Sequence, residues 1–158
     1  MSQNESQKIT PFLWFNGELG DALEFYGSVF TDSEVLERTE RGGELFTATW
    51  RMGDIQFSGM NAEGGPAFTE AVSLYVDCAD QAEVDRYWDA LLADGGRESQ
   101  CGWLVDRFGL SWQVVPRRII ALLNDPDSGR AQRAMAEMLT QVKLDVGRVE
   151  AAADGTFG

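Results

Sequence analysis

The chain reads as an α+β protein made of two tandem βαβββ modules followed by C-terminal helices. Three observations point there. A β-branched and aromatic run, a glycine turn and a helical apolar period occur in that order twice. Short alternating segments separated by glycine follow each helix. Beyond Pro116 the apolar spacing becomes helical.

The first module spans about residues 8–61. "ITPFLWF" (9–15) is strand-like and is bounded by "NGELG", a turn sequence. Leu19, Ala22, Leu23, Tyr26, Val29 and Phe30 recur at helical spacing, so a helix is predicted over about 18–30, with Asp21 and Glu24 facing water. "SEVLERTE", "ELFTATWRM" and "DIQFSGM" are alternating segments separated by "RGG" and "GD", which are hairpin signals. After the glycine-rich "NAEGGPAFTE", the second module (about 70–116) repeats the order with strand "AVSLYVD", helix "DQAEVDRYWDALLAD", Gly95–Gly96 and the segment Gln100–Pro116. A shift of 61 lays Leu13 on Leu74, Trp14 on Tyr75, Phe15 on Val76, Leu23 on Val84 and Tyr26 on Tyr87. A helical extension is predicted over 117–145. Asp127 or Ser128 can cap its second helix. Ala131, Ala134, Met135, Met138, Leu139 and Val142 form an apolar stripe there, and Arg130, Arg133 and Glu137 cover the outer surface. Residues 146–158 read as a frayed tail.

Composition narrows the function. At 158 residues and 44% hydrophobic, the chain can bury a full core as a single domain. Thirteen Lys and Arg against 26 Asp and Glu leave a net charge of −13, which disfavours nucleic acid and anionic lipid. The opening "MSQNESQK" lacks an apolar stretch, and no run approaches the roughly 20 apolar residues of a membrane span, so a cytoplasmic location is expected. Cys78 and Cys101 form no CxxC and read as reduced thiols. The absence of histidine removes Ser-His-Asp and Cys-His activation, imidazole acid–base work and every His-containing metal site.

"KITPFLWFNGELGDALEFYGSVF", "EAVSLYVDCADQAEVDRYWDALLADGG" and "QCGWLVDRFGLSWQVVPRRIIALLNDPD" resemble the PhnB-like branch of the vicinal oxygen chelate superfamily, which includes glyoxalases, bleomycin resistance proteins and extradiol dioxygenases. Members of this branch often carry the name 3-demethylubiquinone 3-methyltransferase. The resemblance covers about residues 8–145 and implies sheets curved into an open, cup-shaped barrel with helices outside, commonly in a homodimer.

With Asp106–Gly109 as the turn, Val105 pairs with Leu110, Leu104 with Ser111 and Trp103 with Trp112. Cys101, Trp103, Val105, Leu110, Trp112 and Val114 then face the helix, so the tryptophans pack as a pair and Cys101 is an inert buried thiol. Asp106 and Arg107 fall at a solvated turn tip. The opposite faces carry Phe12, Trp14, Gln56, Ser73, Tyr75, Ser111 and Gln113, the mixed lining expected of a small-molecule cavity.

The superfamily usually holds a divalent metal with ligands from the first and last strands of each module. The matching positions here are Thr10 or Phe12, Gln56 or Phe57, Ala71 or Ser73, and Gln113, none a histidine, carboxylate or thiolate. No metal and no cofactor are therefore expected. Methyl transfer lacks a recognisable cofactor loop, since "NGELG" has no GxGxxG spacing. Three readings stay open: a metal-free binder of an aromatic or amphipathic molecule, an enzyme (a lyase, a dioxygenase or the named methyltransferase), and a barrel filled by its own side chains. A homodimer through the second C-terminal helix is also expected.

Overall fold

A computed structural model of the protein describes residues 6–156, so residues 1–5 of the polar opening and 157–158 of the tail lie outside the described residues. The α+β expectation holds. The chain divides into two compact units, one ending at Ala67 and one beginning at Phe68. Each contains a four-stranded mixed sheet. The first comprises β1 (Phe12–Phe15), β2 (Ser33–Arg41), β3 (Glu44–Met52) and β4 (Ile55–Asn61) in the order β1-β4-β3-β2. The second repeats that order as β5-β8-β7-β6, with β5 (Ser73–Cys78), β6 (Arg97–Glu98), β7 (Trp103–Val105) and β8 (Ser111–Pro116). In both, the first strand runs parallel to the last and the remaining pairs are antiparallel.

In the first unit α1 (Leu19–Val29) buries Leu19, Ala22, Leu23, Phe25, Tyr26 and Val29, while the sheet buries Leu13, Phe15, Ala48, Trp50, Met52 and Phe57. Each fully buried large aliphatic side chain stabilises by about 1.5–3 kcal/mol. Glu18 gives α1 no side-chain cap, and Asn61 of β4 does that work instead: its Oδ1 accepts from Leu19 N at 2.8 Å and its Nδ2 donates to Leu45 O at 3.1 Å. Only glycine suits position 59, where a Cβ would sit 2.8 Å from Leu13 O.

In the second unit α2 (Gln81–Leu92) starts with a capping box. Asp80 accepts from Glu83 N and Glu83 accepts from Ala79 N. Its buried residues are Val84, Trp88 and Leu91, so the buried Tyr26 of α1 finds its counterpart in Trp88, one residue later than the shift of 61 implies. On a 3.6-residue period adjacent positions three and four residues after Val84 both border the buried stripe, so the large aromatic can shift by one residue.

The C-terminal helices are α3 (Arg117–Leu123), α4 (Ser128–Met138) and α5 (Val146–Asp154). Asp127 caps α4 as expected, accepting from Gly129 N and Arg130 N. Two expectations fail here. Residues 146–154 are not frayed: α5 is capped by Asp145 and places Val149 and Ala153 in a core with Val115, Ile119, Leu122, Ala134 and Leu144. The alanine-rich spacing of α5 carries little hydrophobic signal, yet small residues allow its close approach. α4 buries only part of its apolar stripe: Ala134 sits in that core and Met138 packs against it. Met135 and Leu139 are exposed, and Glu137 turns inward, where it accepts from Arg148 Nε at 3.0 Å and Gln141 Nε2 at 3.2 Å. Gln81 of α2 fastens this helical annex, donating to Leu144 O and accepting from Val146 N.

Candidate functional site

The hairpin of β7 and β8 determines which side chains reach the open face of the second sheet. Its register is Trp103 with Gln113, Leu104 with Trp112 and Val105 with Ser111, one residue away from the pairing expected of a four-residue turn. The loop has three residues, Arg107 to Gly109, closed by Asp106 N donating to Leu110 O at 2.9 Å, with Gly109 left-handed at φ +90. Asp106 is no solvated tip. It is buried, with Oδ1 accepting from Phe108 N and Leu110 N and Oδ2 accepting from Trp112 Nε1. Those bonds specify the shorter loop, and a one-residue slip moves side chains between faces.

Leu104, Leu110, Trp112 and Val114 form the buried helix-facing set, while Trp103 joins Val105, Ser111 and Gln113 on the other face, so the tryptophans are not a stacked pair. Cys101 is not a sealed thiol. It is partly exposed, adopts φ +55, and lines a cavity of about 370 Å³ together with Glu70, Ser99, Trp103, Val105 and Ser111. The buried thiol is Cys78, pushed up to about 11 by burial and by the Glu83 and Asp77 carboxylates, which suits a packing role.

The predicted residues of this unit do share a face. β5 pairs with β8 so that Ser73 lies beside Ser111 and Tyr75 beside Gln113, and Gln113 Nε2 donates to Ser73 Oγ at 3.0 Å. Partial burial, reinforced by Asp77, raises the Tyr75 phenol, which stays a neutral donor. Ser111 differs from its neighbours: it is 1% exposed, and its Oγ has no hydrogen-bond partner. A hydroxyl buried this way costs about 1–3 kcal/mol. A four-residue loop turns Trp103 and Cys101 toward the helix, whereas the three-residue loop turns them to the open face. The Asp106–Gly109 spacing, typical of a three-residue loop, was the available signal.

Phe12, Trp14 and Gln56 lie on the first unit's sheet. Phe12 and Trp14 are 53% and 44% exposed, opposite the buried Leu13 and Phe15, and they pair with Ser58 and Met60. Gln56 follows the same alternation but is buried, its backbone bracketed by the Gln7 side chain through bonds of 2.8 and 3.0 Å. The hydroxyls on this face pair with each other, Thr39 with Thr47 and Thr49 with Ser58. A larger cavity of about 590 Å³ opens at the start of α1 among Asp21, Arg41, Glu44 and Glu63, but it contains none of the expected aromatic lining and no orphaned polar atom.

The donor set does not fit a divalent cation. Hydroxyls and amides dominate both open faces, and no three His, Cys, Asp or Glu side chains gather among the described residues. No helix among the described residues is long and apolar enough to cross a membrane.

Residues 7–115 match the family described as 3-demethylubiquinone-9 3-methyltransferase, so the match ends just before α3. A PhnB protein from Bacillus cereus that carries the same methyltransferase label is 30% identical, with a TM-score of 0.64 over 70% of this chain and 99% of its own. The protein PA1353 from Pseudomonas aeruginosa is 22% identical, with a TM-score of 0.57 over 70% of this chain and 97% of its own. The fosfomycin resistance protein FosX from Listeria monocytogenes, solved with Mn(II) and sulfate, shares the fold at 16% identity, with a TM-score of 0.53 over 68% of this chain and 88% of its own. No curated protein matches the sequence. The chain therefore belongs to the 3-demethylubiquinone-9 3-methyltransferase family, within the PhnB-like branch of the vicinal oxygen chelate superfamily.

Proposed function

We propose that the protein binds a small, neutral aromatic or amphipathic molecule on the open face of its second sheet, without a metal. The observation that carries this reading is the Ser111 hydroxyl, buried and unpartnered in a cavity walled by Trp103 and Val105. A ligand oxygen or nitrogen would satisfy it while the indole supplies a flat apolar wall. Tyr75, Ser73 and Gln113 extend the same face with neutral hydrogen-bonding groups. Phe12, Trp14 and Gln56 belong to the reading as the expected lining on the open face of the first sheet, considered by itself. A cytoplasmic homodimer, using the exposed Met135 and Leu139 of α4, also belongs to it, and the molar mass in solution checks that part.

Tryptophan fluorescence during titration with a panel of neutral bicyclic aromatics tests the site. Saturable quenching in the parent, lost in Trp103→Leu and weakened about tenfold in Ser111→Ala, is the expected pattern. Quenching that survives Trp103→Leu unchanged would move the site elsewhere. Methyl transfer is the competing reading, and the family's name is what favours it. Saturable binding of S-adenosylmethionine, followed by its turnover, would replace ours.

A further inference from the structure

We propose that Cys101 is a covalent capture site for neutral α,β-unsaturated carbonyl compounds, its thiol bonding to the β-carbon while the Ser111 hydroxyl holds the carbonyl oxygen. The site rests on the binding reading above and narrows its ligand class. Two separate features meet in one cavity of about 370 Å³, within the range of about 300–1,000 Å³ common for small-molecule sites. Cys101, which lines it, is a partly exposed thiol, whereas Cys78 is buried. Ser111, also in its wall, is 1% exposed, and its Oγ has no hydrogen-bond partner. Ser111 stands opposite Val105, two residues along β7 from Trp103, so all three share the open face that the cavity occupies.

The backbone sets Cys101 apart. Trp103 N donates to Gln100 O at 3.0 Å across Cys101 at φ +55 and Gly102 at φ +85, the left-handed pair of a type I′ turn. Asparagine, aspartate or glycine is the usual residue at the first of these positions, so a cysteine there is strained. The annex holds it through Cys101 N to Gln141 O at 2.9 Å and Gly102 N to Val142 O at 2.8 Å. The turn that carries the thiol is thereby fixed as part of the cavity wall.

The two groups define the ligand. A serine hydroxyl donates to a carbonyl oxygen, and a thiol, once ionised, attacks carbon. An enone carries the acceptor oxygen and the electrophilic carbon on one flat frame, which suits the Trp103 indole. The Cys101 thiol loses its proton to water, and its sulfur forms a C–S bond to the β-carbon. The π pair of the C=C bond moves to the carbonyl oxygen, giving an enolate to which the Ser111 hydroxyl donates. Water then returns a proton to the α-carbon. The net change adds S–H across the double bond, with no oxidant and no leaving group. Glu70 in the same wall, on a chain of net charge −13, disfavours anionic acceptors. Cys78 does not compete: burial and the Glu83 and Asp77 carboxylates push it up to about 11, so it stays protonated near neutral pH.

Benzylideneacetone, incubated with the full chain and read by intact mass and peptide mapping, tests the capture. Its saturated analogue benzylacetone, read by tryptophan fluorescence, tests binding alone. The expected result is an adduct on Cys101 and not on Cys78, formed at a rate that saturates with concentration and is slowed by benzylacetone. Ser111→Ala should lower the second-order rate about tenfold. Cys101→Asn suits the left-handed position, so it should raise Tm, abolish the adduct and leave the benzylacetone quenching in place. A rate linear in concentration, indifferent to benzylacetone and to Ser111→Ala, marks a merely exposed thiol and overturns the proposal. So does benzylacetone quenching with no adduct on Cys101, which leaves the binding reading standing. No quenching by benzylacetone removes the binding reading and the capture site together.

Discussion

The two units have the same strand order and each packs one helix on its sheet, yet they treat their open-face hydroxyls differently. In the first unit β2 and β3 each run nine residues, and hydroxyls meet across strands: Thr39 with Thr47, Thr49 with Ser58. In the second, the corresponding strands shrink to two residues in β6 and three in β7. β6 and β7 run out at Glu98 and Trp103, where the chain enters the Ser99–Gly102 loop that walls the Ser111 cavity and that the annex holds through Cys101 N to Gln141 O at 2.9 Å and Gly102 N to Val142 O at 2.8 Å. A duplicated topology thus supplies the scaffold, and a candidate site arises where one copy is truncated. The grip on the loop comes from residues beyond the family match, so the annex shapes a wall of the cavity.

The largest expected effect lies in the buried loop that gives the second unit its register. Asp106→Asn replaces an acceptor facing Phe108 N, Leu110 N and Trp112 Nε1 with a group that must turn a donor toward one of them. It should cost about 3 kcal/mol in urea unfolding. Trp112→Phe in the same background should recover part of that loss, since it removes the opposed donor. A cost under about 1 kcal/mol would mean that the carboxylate does not set the register. Next comes Gly102→Ala. That residue sits at φ +85, and a Cβ would lie 2.8 Å from Leu144 Cδ1 and 3.0 Å from Val114 O, so about 2 kcal/mol should be lost. Thermal unfolding checks it. An unchanged Tm would sink the idea that the annex grips the loop tightly.

These two positions also mark the boundary of what the amino-acid sequence discloses. Leu13 and Phe15, Leu23 and Val84, and the Asp80 and Asp127 caps are legible because period and capping chemistry are local. The order βαβββ follows from them. Face assignment on β1, β5 and β8 is legible too, for alternation along one strand needs no partner. Pairing across β7 and β8 is not, since it hangs on whether Asp106 belongs to the turn or to the ladder, and a buried carboxylate looks like a solvated one in sequence. Trp103 and Cys101 entered the candidate site through that single residue. The burial of Glu137 was hidden for a similar reason: its partner Arg148 lies on another helix.

A smaller effect of opposite sign separates the open faces themselves. Ser111→Ala removes an unpartnered hydroxyl, so the ligand-free protein should gain about 1 kcal/mol and about 2–4 °C in Tm. The same change at Ser58, whose Oγ lies 3.0 Å from Thr49 Oγ1, should lower Tm instead. Matching signs at the two positions would erase the distinction between a paired and an orphaned hydroxyl.

The smallest effect concerns the ion pair that joins the annex to α2. Lys143 Nζ bonds to Asp85, and Gln81 Nε2 donates to the same carboxylate at 3.0 Å. Both hold the Asp85 carboxyl below its ordinary 3.8, Lys143 first and Gln81 second. A lowered folded-state value means that the contribution is present above the unfolded value near 3.8 and disappears as pH falls through the folded one. The pair is solvent-screened, so Lys143→Met should lower Tm only slightly at pH 6 in dilute buffer. The difference should fade in about 1 M salt, where the Debye length is roughly 3 Å, and should shrink as pH falls below 3.8 and through the lowered folded-state value. A deficit that persists under both conditions would trace to the lost lysine stem rather than to charge. Docking of the annex would then rest wholly on its apolar core and on the backbone bonds that hold Cys101 and Gly102.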